Sequence, residues 1–316
     1  VFALSGYVVG YVVDYENGSS ATYYFLMLDN GTLIPLVEPP PHYLVGTGER
    51  VEAELVYTEV GVGARVSAPR EPTLTPALAI PRQPVSGPLL VTLVAAKFAD
   101  VSAEPYNMSY VHDVVFGPFP SMRHFWEYML GGAVIIRPYY IHWRWLTLPR
   151  TRAQYCDTSS AFVSITIDVL NALYNTAGVR LPDRSYLVIV LNAQPPCYSS
   201  AAGKGTVGFG VFAATYGTVR IAVTQYYHYA DWLTHVPDVD VFVHEFGHNL
   251  GLHHPGTLVE EYDNVWDAVG DSGAFVRLSS WLGTTRYYIP RGLSLPHLYY
   301  LGVGQFVGSG AGSWLV

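Results

Sequence analysis

Residues 244–254 read His-Glu-Phe-Gly-His-Asn-Leu-Gly-Leu-His-His. Imidazoles four positions apart leave the same face of a helix, so His244 and His248 can share one metal ion. Glu245 sits beside them, close enough to take a proton from a metal-activated water. Gly251 can adopt a left-handed backbone that ends the helix and swings His254 toward the ion from a third direction. Three protein ligands leave one position open, which marks a catalytic rather than a structural zinc site. At ~1 in 20 per position, H-E-x-x-H arises by chance in a few per cent of chains this long, and the added Gly and His lower that to about one in ten thousand. The pattern is therefore read as a zinc site with ligands His244, His248 and His254 and general base Glu245, and His253 as a bystander.

A helix has to carry this site. Asp238, after Pro237, is suited to cap it. Val239, Phe242, Val243, Phe246 and Leu250 fall on one helical face, with His244 and His248 roughly opposite. Upstream, 89–227 alternate strand-like and helix-like runs: strands over 90–98, 186–191, 206–214 and 219–227, one or two strands over 133–148, and helices over 121–130 and 159–176. This order predicts an α+β catalytic domain, residues 89–316, with one mixed sheet. Residues 67–88 hold six prolines and read as a linker. Residues 1–66 read as about five short strands, with Asp29-Asn30-Gly31 as a hairpin turn. A small β-barrel of OB-like type is expected there.

The composition excludes other classes. Half the residues are hydrophobic, 13% are charged and the net charge is −8, so a large core is available and disorder is not expected. The only lysines are Lys97 and Lys204, and no basic run suits a nucleic-acid backbone. No run of 18 uncharged apolar residues suggests a transmembrane helix. No leader pattern is visible at the start, which is read as a signal already removed or lying outside the sequence. Cys156 and Cys197 would, if paired, close a loop worth ~4 kcal/mol in the chain-entropy model. Sequons at Asn17, Asn30 and Asn107 add weakly to the expectation of a secreted or cell-surface protein.

The extended motif resembles that of the metzincin metallopeptidases, most of all the gametolysin-type family. Leu90-Val-Thr-Leu-Val-Ala-Ala-Lys-Phe-Ala-Asp resembles that family's first sheet strand. Trp145-Leu-Thr-Leu-Pro followed by Tyr155-Cys156, and Cys197 before a glycine-rich strand, are similar too. So is Glu261-Tyr-Asp with Trp266-Asp-Ala-Val-Gly270, leading into the turn below the metal. His254-Pro255-Gly256 also matches serralysin-type enzymes. The resemblance implies a metzincin-like fold and a zinc-dependent endopeptidase acting on protein or peptide substrates, with Glu245 as base. One position departs from it: Val269 stands where metzincins carry a methionine, and Met27, Met108, Met122 and Met129 lie far upstream. Valine supplies apolar contact with less reach. Tyr262, Tyr287 and Tyr288 are candidates for stabilising the oxyanion. The strand over 206–214 is either an edge that pairs with extended substrate or a plain interior strand. His42 and His297 are read as ordinary satisfied histidines rather than zinc plugs. The alternative function is a zinc-containing but weakly active adhesion or binding protein that works through its N-terminal barrel.

Overall fold

The computed structural model describes residues 3–15, 20–40, 45, 48–58, 61–66, 84–198, 201–228, 239–255, 267–270, 292–303, 307–309 and 313–315. Asn17, His42, most of the proline-rich segment, Asp238, the 261–266 stretch, Tyr262, Tyr287 and Tyr288 lie outside the described residues.

A mixed sheet organises the chain. Its N-terminal strands are β1 (Ala3–Tyr15), β2 (Ser20–Met27), β3 (Leu33–Pro35), β4 (Arg50–Thr58) and β5 (Gly61–Val66). They are followed by β6 (Gly87–Lys97), β7 (Val134–Thr147), β8 (Ser185–Leu191), β9 (Ala201–Thr206), β10 (Gly210–Ala214) and β11 (Gly217–Tyr227). The main path runs β3-β2-β1-β9-β11-β8-β6-β7, with β10 on β11 and the β4–β5 pair on β1. Strands β7, β6, β8 and β11 are mutually parallel, and β9 and β1 continue antiparallel. A small pair, β12 (Val307–Ser309) and β13 (Ser313–Leu315), stands apart.

Parallel strands covered on both faces need apolar residues at every position rather than at alternate ones. All seven residues of β8 are buried. Tyr186, Val188 and Val190 point into one core, and Leu187, Ile189 and Leu191 into the other. The first core is closed by α1 (Met108–Phe116), α2 (Met122–Met129) and α5 (Val239–Asn249), and the second by α3 (Arg152–Cys156) and α4 (Ala161–Ala177). A short helix α6 (Leu295–Tyr300) adds Leu298 and Tyr300 to the rim of the first.

The helix ends follow local chemistry. Ser121 and Ser160 cap α2 and α4 with side-chain oxygens, and Gly178 ends α4 at φ +66°. Asn107, one of the sequon asparagines, caps α1 by accepting from the Ser109 N–H. Gly31 takes φ +82° in the 29–31 turn, as a hairpin there requires. Cys156 and Cys197 form a disulfide that ties the end of α3 to the segment before β9. Among the described residues no helix is long and apolar enough to cross a membrane.

The N-terminal strands are hydrogen-bonded into the sheet. One half of β1 pairs with β4, from Ala3↔Glu54 to Tyr7↔Arg50, and the other half with β9, from Tyr11↔Thr206 to Tyr15↔Ala201. Tyr11 anchors this junction: its hydroxyl is 2.9 Å from Ser160 Oγ and its ring stacks on Phe162 at 4.6 Å. The fully buried ammonium of Lys204 rests against the Tyr198 ring, with the Tyr11 and Tyr227 rings each 5.9 Å away.

Sequence expectation and structure differ over 206–214. These residues do not form one strand but end β9 and supply β10. At the break, Gly208 has φ +64° and donates its N–H to the His248 carbonyl at 2.8 Å. The backbone leaves the sheet there to bind the end of α5. Neither alternative for the segment survives whole, because β9 lies between β11 and β1 while β10 pairs with β11. The sequence pattern also missed α1 and the five-residue α3, both too short to show a sustained helical period.

Candidate metal centre

Helix α5 is buried almost throughout. Phe242 stacks on Tyr226 with centroids 4.9 Å apart, and Phe246 meets Tyr186 at 5.0 Å. These rings pack the opposite side of the helix, so that Glu245 and His248 turn toward β9, and His244, Glu245 and His248 are 5%, 1% and 0% exposed. The helix ends in a Schellman arrangement. Leu252 donates its N–H to Gly247 O at 3.1 Å, Gly251 donates to His248 O at 2.8 Å, and Gly251 sits at φ +91°. The turn brings His254 back across the helix end.

The three imidazoles converge. His254 Nε2 stands 3.2 Å from His244 Nε2 and 3.1 Å from His248 Nε2. One ligand atom from each lies within 4.8 Å of the others. The remaining ring nitrogens face oxygen: His244 Nδ1 is 3.1 Å from Ala268 O, His248 Nδ1 is 2.8 Å from Leu252 O, and His254 Nδ1 is 3.3 Å from Ser20 Oγ. A histidine whose Nδ1–H is held by oxygen has its Nε2 lone pair free to bind metal. By donor type, count and support, the cluster fits a metal ion.

Glycine lets β9 approach the helix. A Cβ on Gly205 would stand 2.6 Å from the Glu245 carbonyl oxygen, 3.0 Å from Glu245 Oε2 and 3.0 Å from His248 Cβ, and one on Gly203 would collide with the Glu245 carboxyl. The two glycines share one face of the strand, and Lys204 between them points to the other. Asn249 fastens the same junction. Its Nδ2 donates to Val223 O at 2.9 Å and Thr206 O at 3.1 Å, and its Oδ1 accepts from Thr224 Oγ1 at 2.8 Å.

Beneath the histidines, Val269 is fully buried. The turn that carries it is held by Asp267, whose oxygens accept from the Val269 N–H at 2.9 Å and the Ser294 N–H at 2.6 Å. His297 Nδ1 is 2.9 Å from the same carboxylate, so this histidine braces the turn rather than approaching the cluster. Burial pushes the Asp267 carboxyl up, but the imidazole of His297, the side chain of Ser294 and the Val269 N–H outweigh it and hold the group below its ordinary range.

Sequence reasoning did not find Ser20, the Ala268 and Leu252 carbonyls, Trp126, Asp267 or the work of Asn249. Gly203-Lys-Gly205 was a usable signal, since glycine at a spacing of two marks close approach on one strand face. The carbonyl partners have no sequence signature.

No protein-family model and no curated protein matches the chain. Among solved structures, metalloproteinase-II from Bacteroides fragilis aligns with 12% identity over 89% of this chain and 75% of that chain, at a TM-score of 0.36. The functional reading therefore stands on the residues of this chain.

Proposed function

We propose that the protein is a zinc-dependent endopeptidase of metzincin type, with His244, His248 and His254 as ligands and Glu245 as general base. The observation that carries the reading is the convergence of three Nε2 atoms beside a buried carboxylate, with each Nδ1 facing an oxygen. When bound, zinc would polarise the scissile carbonyl and make water acidic enough to lose a proton near neutral pH. Glu245 takes that proton and returns one to the leaving amine. Its enclosure by β9 keeps it oriented and limits competing solvent. Within the metzincins, the gametolysin-type reading rests on the motif and the similar segments around it, and the serralysin-type alternative on His254-Pro255-Gly256.

Residues 89–316 are proposed as the catalytic unit, and 1–66 as a small barrel joined through the proline-rich segment. The pairing order β3-β2-β1-β4-β5, with a parallel bridge from Leu36 back to Ala64, favours the barrel. Peptide is the proposed substrate and the exterior of the cell the proposed location, since disulfides persist there.

The test is chelation. Peptide hydrolysis should vanish on zinc removal and return with one equivalent of zinc, and X-ray absorption should find three nitrogen ligands at about 2.0–2.1 Å. Hydrolysis that survives complete demetallation overturns the reading.

A further inference from the structure

The three histidines are supported from behind by different parts of the chain. His244 and His248 turn Nδ1 to the carbonyls of Ala268 and Leu252. His254 turns Nδ1 to the hydroxyl of Ser20, at the start of β2 and 234 residues earlier. A histidine that gives its Nε2 lone pair to a metal carries its proton on Nδ1, so Ser20 Oγ accepts from it. We propose that Ser20 is a positioning residue of the metal centre, through which the N-terminal strands supply the outer support of its third ligand. The inference rests on reading the three histidines as that centre.

The third ligand is the one that needs external support. His244 and His248 rise from a packed helix that restricts their rotamers. His254 lies beyond Gly251 on irregular chain and is only partly buried. Ser20, in contrast, is fixed. It pairs with Asp14 in the β1–β2 ladder, and β1 runs along β9 from Tyr11↔Thr206 to Tyr15↔Ala201. Strand β9 in turn lies against Glu245 through Gly203 and Gly205. A closed circuit results: helix to β9, β9 to β1, β1 to Ser20, and Ser20 to His254. Tyr11 locks its middle through Ser160 and Phe162. On this reading the N-terminal strands are a constituent of the site and not a segment to be discarded, since their removal strips the His254 Nδ1 of this acceptor.

The test compares Ser20→Thr with Ser20→Val in the full chain. The two replacements have the same shape on a strand and differ in the hydroxyl. Zinc affinity is read by chelator competition, and cobalt-substituted protein gives an independent absorption signature of ligand geometry. Ser20→Val should weaken zinc by roughly 10- to 100-fold, the usual effect of losing such a partner, and shift the cobalt spectrum. Ser20→Thr should match the parent in both. Equal zinc affinity and equal spectra in the two variants overturn the proposal. Hydrolysis is measured separately. Hydroxyl-dependent zinc affinity with no hydrolysis keeps this inference and removes the peptidase reading, and hydrolysis with hydroxyl-independent affinity does the reverse.

Discussion

Val269 packs against the bare backbone of Gly247, on the turn of α5 between His244 and His248, so closely that a Cβ on Gly247 would stand 2.5 Å from Val269 Cγ2. The indole of Trp126 lies alongside, 3.2 Å from the same point, and is fully buried. The floor under this turn of α5 is thus built from a valine and a tryptophan, the tryptophan brought in by α2.

Overpacking this floor should be felt at the metal. Gly247→Ala is expected to destabilise the fold by about 1–3 kcal/mol and to weaken zinc binding, because the helix carrying both ligands must shift. Val269→Met alone should destabilise by a similar mechanism, and pairing it with a smaller residue at Trp126 should recover part of the loss. Thermal melts of the single and double variants, analysed as a cycle, read this coupling directly.

Asp267 gives the site a pH dependence with a definite sign. Its folded carboxyl titrates below the ordinary value of 3.8, so ionisation stabilises the native state above that value. The contribution is lost as pH falls below 3.8 through the folded value. Asp267→Asn should therefore cost roughly 3 kcal/mol in the metal-free protein at neutral pH, because it removes the charge facing His297 and replaces one of the two acceptor oxygens with an NH2 group that cannot accept. Urea melts should show the gap between parent and variant narrowing in the acid range. A gap that widens there would contradict the assignment.

Asn249 should behave as a rivet. It is 1% exposed and bonded to Val223, Thr206 and Thr224, so Asn249→Ala leaves three buried groups without their partner. A loss of about 3 kcal/mol is expected, with lower zinc affinity as the end of α5 loosens from β9. Hydrogen exchange at 244–250 should rise more than exchange in β8.

The convergence of the three histidines was legible because it is local. His244, Glu245, His248, Gly251 and His254 lie within three helical turns, and the helical period with one left-handed glycine is enough to bring them together. The mixed sheet was legible for a related reason: continuous apolar runs such as 186–191 signal strands covered on both faces. The long-range pairings were not. Nothing in residues 3–15 states that β1 will divide its length between β4 and β9, since both halves carry the same strand-forming residues. The break at 207–209 was hidden because it is set by the His248 carbonyl across the fold. Ser20 was invisible as a site residue, because a serine opening a strand is ordinary until its neighbour in space is known.

The disulfide between Cys156 and Cys197 closes a loop with a sequence separation of 41. Replacing both cysteines by alanine should lower stability by ~4 kcal/mol on the chain-entropy model, while zinc stoichiometry at 25 °C stays unchanged, since neither residue touches the cluster. Denaturant melts with and without reductant test the first statement, and metal analysis the second.

The most direct measurement compares the protein with Glu245→Ala, each carrying one zinc per chain, in initial-rate assays on a quenched-fluorescence peptide library. A general-base role for Glu245 predicts equal zinc content and a rate lower by about 10²- to 10⁴-fold in the variant, the usual contribution of such a group. Stoichiometric zinc in both with equal rates, or with no hydrolysis in either, would contradict it.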